Sequence, residues 1–443
     1  MEKKEEKKAV YTGSDTEGGI TSGYQMNDGV PLKVPYSFFG SIYDGEEEKM
    51  VLKAMKQDSL TMGPQVQLFQ KEFADVHGVK HAFAVSNCTT AMHVATQVFN
   101  IREGDEVIVT PNTFIATSLV ILKEKGRPVY ADINPRTFNI DPAKIEEKIT
   151  PATRAIYVVH YGGQMCDMDP IMEIARRHSL YVLEDCAHSP GAEYKGRKAG
   201  SVGDVGCFSF HSLKNMTTLG EGGMITTNRD DLVDAISKMR CMSIGHWPAG
   251  QTRFTFGDTT LVKEGVTDYW IPSHFDVEDT NGHFGNNYRM NEPQAACGRA
   301  QLKKLAMLSE KRRENGRYLN EGLKGIKGIT PVYEDPDCYH VYHLYTLCVE
   351  EEELGAGRDD FMRILYKEEG IQGILHYQPT YDFTALKKLG CGKERCPNAD
   401  KFFYRRELNL PMHPRLTRDE LDMIIAGIRN AAKKAASRSR PVS

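Results

Sequence analysis

Two residues stand out for the chemistry they could do: Lys214, in Phe208-Ser-Phe-His-Ser-Leu-Lys214-Asn, and Asp185, which closes Leu180-Tyr-Val-Leu-Glu-Asp185. Lys214 follows an apolar, β-prone run (Val205, Cys207, Phe208, Phe210) and precedes a glycine-rich turn, Gly220-Glu-Gly-Gly223. An ammonium among apolar walls loses hydration, so its pKa falls and a neutral amine becomes available. A neutral lysine amine is what a Schiff base with an aldehyde cofactor requires. Lysines beside turns are usually solvated, so the neighbours in the chain must decide. Asp185 is a carboxylate at the end of an apolar strand, expensive to bury unless paired. A pyridinium nitrogen is one such partner, and the pairing keeps the ring able to draw electrons. Capping the next helix is the plainer use. The two residues lie 29 positions apart, a spacing that suits strand-end sites on neighbouring strands.

Three further stretches could serve the same site. Ser86-Asn-Cys88-Thr89-Thr90 opens a helix, where backbone N–H groups and hydroxyls make a phosphate cradle. Taken alone, an ordinary N-cap explains it better. Phe114 sits just past a strand end, placed to stack on a planar ring, although core packing explains a lone phenylalanine more simply. Ser209 precedes the lysine by five residues, so its hydroxyl could reach a phosphate or the amine.

These residues need a scaffold that gathers them. Short apolar strands are expected at residues 81–85, 106–110, 128–132, 154–160, 180–185 and up to Phe210, alternating with helical patterns at 44–57, 66–76, 90–99 and 170–178. Such alternation predicts an α/β fold with a mostly parallel sheet covered on both faces. Ligands bind beyond the carboxyl ends of such strands, and the candidate residues follow those ends. Residues 34–311 are expected to form this large domain. Residues 241–285 make a long connection without sustained period, a length that is usually functional or disordered. Residues 312–431 form a smaller α+β domain with a strand at 341–349. Residues 1–33 read as a flexible tail and 432–443 as a frayed helix end with a basic tail.

Composition sets limits. The 443-residue chain is 40% hydrophobic, ample for a large core, and carries a net charge of −4. No global field would recruit nucleic acid or an anionic membrane. No apolar run approaches the roughly 18–20 residues of a membrane span, and the first residues, Met1-Glu-Lys-Lys, are charged, unlike a signal peptide. The ten cysteines are scattered in mostly apolar settings and read as reduced thiols of a cytoplasmic protein. Cys391 and Cys396 lack companions at metal-site spacing and are expected to be unlinked, and the histidines form no chelating set, so no metal is expected.

Taken together, further motifs make a family resemblance specific. Glu184-Asp-Cys-Ala-His188, Gly191-Ala-Glu-Tyr-Lys-Gly196, Gly200-Ser-Val-Gly-Asp204, Phe208-Ser-Phe-His, Lys214-Asn and Gly220-Glu-Gly-Gly223 resemble the pyridoxal-phosphate sugar aminotransferases of the DegT/DnrJ/EryC1/StrS family. Gly63-Pro64 with Phe69, Gly104-Asp-Glu-Val-Ile, Asp167-Met-Asp169, Asn287-Tyr-Arg-Met and Leu410-Pro extend the match from about Pro35 to Ile428. The resemblance implies a fold type I transferase: a seven-stranded, mostly parallel sheet between helices, and a smaller C-terminal α+β domain. It makes Lys214 the internal aldimine lysine, Asp185 the pyridine-nitrogen partner and Phe114 the stacking ring. Ser209, Cys88 and Thr89 would contact the phosphate, and His188 would lie against pyridoxal 5'-phosphate. Asn287 matches an asparagine that reaches the phosphate of a neighbouring subunit, implying a homodimer with shared sites. His376 and Tyr377, in Leu375-His-Tyr-Gln-Pro379, match a segment near the substrate entrance.

The implied reaction moves an amino group from glutamate or glutamine to a keto sugar. The rivals are a free cyclitol acceptor, an aromatic amino acid synthase, a family dehydratase and a regulatory homologue without turnover. The dehydratases carry histidine where this chain has Lys214. Cys88 departs from the glycine common in the family, and the connection at 241–285 is longer than usual. The basic pairs Arg312-Arg313 and Arg405-Arg406 could meet a diphosphate, but solvated helix faces are the commoner use.

Overall fold

The computed structural model describes residues 29–244 and 277–438. Most of the expected N-terminal tail, the centre of the long connection and the last five residues lie outside them.

The seven-stranded sheet is there. Its strands are β1 (His81–Val85), β2 (Glu106–Val109), β3 (Arg127–Tyr130), β4 (Thr153–Val159), β5 (Tyr181–Asp185), β8 (Val205–Ser209) and β9 (Gly223–Thr227). The hairpin β6 (Glu193–Tyr194) and β7 (Arg197–Lys198) stands apart in a small sheet with β11 (Cys338–Tyr339). The main order is β1-β9-β8-β5-β4-β2-β3. Neighbours pair in parallel except at β9, which runs against both β1 and β8. Read from the sequence, Gly220-Glu-Gly-Gly223 is a turn; the structure adds the strand that this turn launches.

Strand residues alternate between two cores. Val107, Val109, Tyr157 and Leu183 face one side, while Ile108, Ile156, Val158 and Val182 face the other, all fully buried. Both faces are covered by helices, which is why the strands read as unbroken apolar runs. The parallel strands therefore end together on one rim. Pairing of Asp185 with Val159 on one side and Cys207 on the other sets the register there.

A third core belongs to the C-terminal part. It is built on β10 (Ile329–Thr330), β12 (Tyr345–Val349) and β13 (Glu407–Leu410), packed by helices Arg358–Lys367 and Arg418–Arg438. The strand expected at 341–349 starts only at Tyr345. Residues before it are held instead to the main domain, with the Val341 and Leu344 amides donating to Gly163 and Gly162 carbonyls at 3.0 and 3.1 Å. The helix expected to fray at 432 continues to Arg438 because Ala432 and Ala435 are buried. The 32-residue helix Glu292–Leu323 crosses position 311 without a break. Its first half packs with the sheet core (Ala295, Leu302, Leu305) and its second half with the C-terminal core (Leu319, Leu323). The described ends of the long connection are pinned by bridges, Ile244 to Val277 and Cys241 to Asn287. Among the described residues no helix is long and apolar enough to cross a membrane.

Candidate active site

Asp185 is buried at the carboxyl end of β5. Its Oδ2 accepts from the Thr117 hydroxyl at 2.9 Å and its Oδ1 from the Ala187 amide at 3.1 Å. A carboxylate offers about four lone-pair positions, so acceptor capacity is left over. Burial raises its pKa above the usual carboxylate value, and the Ala187, Thr117 and Lys214 groups only partly offset this. Its acceptor capacity is only partly used among the described residues. Lys214 is half-buried beyond the end of β8, the neighbouring parallel strand. Loss of hydration brings its amine down to about 8, against the opposing pull of the Asp185 and Cys88 side chains. The expected neutral amine is thus available slightly above neutrality.

The helix after β1, Cys88–Val98, is opened by Asn87, whose side chain accepts the Thr90 amide while Thr90 bonds back to the Asn87 amide. This capping box fixes the first turn and leaves the amides of Cys88 and Thr89 without intrahelical partners, a ready anion site. Cys88 turns its side chain inward. Its Sγ lies 3.4 Å from the Cys207 carbonyl and 3.9 Å from Asp185 Oδ1. The side chain that replaces the family glycine is therefore packed under the cradle. Burial first, and the Asp185 charge next, keep its thiol protonated. Ser209, the last residue of β8, is buried, and its Oγ accepts the His211 amide at 3.4 Å. Phe114 leaves 57% of its surface exposed, a free ring face beside the site, with Tyr377 edge-on at 6.0 Å.

His188 and Tyr377 close another side. The Gly162 amide donates to His188 Nδ1 at 3.3 Å, so the ring proton sits on Nε2 and points at the Tyr377 hydroxyl, 3.1 Å away. Burial and then the Lys214 charge push the His188 pKa well below its ordinary value, so the ring is neutral. His376 is brought down to about 4 by the same two causes. Its backbone is clamped: the Tyr161 hydroxyl donates to its carbonyl at 2.6 Å, and its amide donates to Glu407 Oε1 at 2.5 Å.

The structure thus gathers Lys214, Asp185, Cys88, Phe114, His188, Ser209, His376 and Tyr377 at one rim. Asn287 stays outside this group. It is exposed and forms a bridge with Cys241, without a hydrogen bond to any of the others. Sequence reasoning missed Thr117, although Thr113 and Thr117 at i, i+4 after β2 were a signal, their hydroxyls 2.8 Å apart. It also missed Tyr161 and Glu407, which meet across 246 residues of chain with no local sign. The Arg312-Arg313 pair is neither a solvated face nor open to a ligand: both are buried, and Arg312 donates to main-chain carbonyls. His160, Glu184 and Cys186 cluster closely enough for a metal, but Glu184 is saturated by His160 at 2.9 Å and three amides.

The donor set fits a pyridine ring bearing a phosphate: an anion cradle, a flat aromatic, an under-partnered carboxylate and a lysine with a lowered pKa. Comparison with known proteins gives the family. The chain is 38% identical to the spore coat polysaccharide biosynthesis protein SpsC of Bacillus subtilis, over 91% of this chain and 98% of that one. It is also 38% identical to GDP-perosamine synthase of Caulobacter vibrioides, over 87% and 95%. The solved aminotransferase from Psychrobacter cryohalolentis superposes with a TM-score of 0.80 at 31% identity, covering 90% of this chain and all of that one. The model of the DegT/DnrJ/EryC1/StrS aminotransferase family matches residues 41–429, and the chain belongs to that family.

Proposed function

We propose that this sugar aminotransferase moves the amino group of glutamate or glutamine onto a nucleotide-linked keto sugar, using pyridoxal phosphate bound at Lys214. One observation carries the reading: the Lys214 amine, brought down to about 8, stands beside an under-partnered Asp185 at the ends of adjacent parallel strands. When bound, the cofactor supplies an aldehyde for amine attack and a ring that withdraws electrons from the bonded carbon.

The chain's own groups supply the rest. Lys214 Nζ, neutral above about pH 8, would be the group that holds the cofactor's aldehyde carbon. The same amine, when free, would move a proton as base and then as acid. Asp185 would face the ring nitrogen and keep a proton there, and Thr117 and Ala187 hold Asp185 in place. Phe114 would lie on the ring face. The Cys88 and Thr89 amides and Ser209 would hold the phosphate. His188, a neutral donor through Nε2, and Tyr377 line the side where substrate enters, with His376. The nucleotide linkage rests on the relative named GDP-perosamine synthase.

Transfer from glutamate and glutamine to a panel of nucleotide-linked keto sugars and free inososes tests this. Lys214→Ala should abolish transfer; normal turnover by that variant would end the assignment. Turnover of free inososes alone would replace the nucleotide-linked acceptor.

The exposed Asn287 fits a homodimer in which each copy completes its neighbour's site. Mixing Lys214→Ala with Asn287→Ala protein should restore about a quarter of the activity, since one hybrid site is intact; no recovery would exclude shared sites. Work in the cytoplasm suits ten cysteines that are all unpaired.

A further inference from the structure

Residues 36–41, Tyr36-Ser-Phe-Phe-Gly-Ser41, lie across the back of the Lys214 loop, far from it in sequence. The Gly40 amide donates to the Ser212 carbonyl at 2.8 Å. A side chain at Gly40 has no room: its Cβ would fall 2.2 Å from the Leu213 oxygen and 2.3 Å from the Lys214 oxygen, both main chain. The main chain of residue 40 is therefore in direct contact with the peptide groups that carry the reactive amine.

Two arginines fasten this strap: Arg312, which has no carboxylate partner among the described residues, and the half-buried Arg415, which feels the Glu420 charge. Fully buried Arg312 donates to the carbonyls of Gly40 at 2.5 Å, Tyr342 at 2.9 Å and Met412 at 3.1 Å. It ties the strap to two C-terminal segments through one planar fork. Arg415 donates to Ser37 Oγ at 2.7 Å, to the Phe39 carbonyl at 2.9 Å and to the Ser41 carbonyl. The other flank of the loop is held by the C-terminal part as well. Asn215 donates to the Val341 carbonyl at 3.2 Å and bonds His343 Nδ1 at 3.0 Å. A buried guanidinium without a counter-charge is costly, and carbonyls alone leave its desolvation only partly offset. Such an arrangement persists where it fixes a geometry.

We propose that residues 37–41, locked by Arg312 and Arg415 and pressed at Gly40 onto the Leu213 and Lys214 carbonyls, are a positioning element for Lys214. The strap keeps the amine in its dehydrated place near Asp185 and Cys88, acting through the main chain of the loop. This deepens the reading of Lys214 given above, and its test does not depend on turnover.

The test labels the cofactor-free full chain with acetic anhydride across pH and quantifies modification at Lys214. In the unaltered protein the midpoint should fall near about 8. Gly40→Ala and Arg415→Gln should raise it by at least one unit while the thermal transition stays cooperative, and should weaken pyridoxal phosphate binding at least tenfold. An unchanged midpoint in a folded variant overturns the proposal, as does an ordinary lysine midpoint in the unaltered protein. If both variants fail to fold, hydrogen exchange on the unaltered chain decides. Amides of residues 36–43 and 210–216 should open together, whereas independent opening of the first overturns the coupling. Failure of the cofactor reading would look different: protein that stays colourless with pyridoxal phosphate, whatever the labelling midpoint.

Discussion

Glu184 and Asp185 are neighbours on one strand, both buried, and the fold treats them in opposite ways. Pointing to one face of the sheet, Glu184 accepts from His160 Nε2 at 2.9 Å and from the amides of Gly200, Val202 and Gly203 at 3.0, 2.8 and 2.6 Å. Burial alone would raise its pKa, but these donors more than compensate and hold it below the usual range. Pointing to the other face, Asp185 receives one hydroxyl and one amide within 3.1 Å, and its pKa stays raised. A strand puts successive side chains on opposite faces, so adjacent acids can serve different ends. The first is saturated and anchors the loop of residues 200–203. The second keeps acceptor capacity, with Lys214 near it but no ion pair or hydrogen bond to a cation among the described residues. Surplus capacity on a buried carboxylate is the mark of a site.

The contrast can be broken experimentally. Glu184→Gln should cost the most stability, about 3–5 kcal/mol in urea unfolding, because it strands one partner of a buried pair. Turnover per folded molecule should change little; a collapse of kcat with unchanged stability would reverse the roles. Asp185→Asn should lower kcat about 10²–10³-fold, as expected for loss of a charge aimed at the reacting system. It should leave the unfolding midpoint equal or higher, since no saturated network is lost.

Glu407 extends the comparison to a third buried acid. Its Oε1 holds the His376 and Asn409 donors, its Oε2 has no partner among the described residues, and burial lifts its pKa to about 8. The folded value lies above the unfolded one. Its contribution is therefore complete below about pH 4.5 and is lost as pH climbs through about 8. Glu407→Gln should flatten that decline, gaining about 2 kcal/mol at pH 8.5 by the usual conversion of pKa shift to free energy, discounted for relaxation. Identical pH profiles of stability for the two proteins would contradict it. The smallest effect is expected from Thr117→Val, which removes one charge-assisted hydrogen bond to Asp185. A loss of about tenfold in kcat corresponds to the roughly 1.4 kcal/mol such a bond contributes; unaltered kcat would mean that the hydroxyl only fills space.

Much of this was legible in the chain. The strand-end placement of Lys214 and Asp185 was legible because an apolar run followed by a polar residue is a local signal, read with a rule about parallel sheets. The strands facing helices on both sides wrote themselves as unbroken apolar stretches. What stayed hidden was non-local or disguised. Strand β9 begins inside a glycine-rich turn, so its first residue reads as loop. The late start of β12 depends on Val341 and Leu344 being claimed by Gly163 and Gly162, which no local pattern records. Arg312 looks like any basic helix residue until Gly40, Tyr342 and Met412 converge on it. Thr117 was within reach, one helical turn from Thr113.

The most direct test of the central claim traps the cofactor chemically. The protein is incubated with pyridoxal phosphate, reduced with borohydride, digested and mapped by mass spectrometry. One phosphopyridoxyl group is expected on the peptide containing Lys214 and none on the Lys214→Ala protein. Label on another lysine, or none at all, would contradict it.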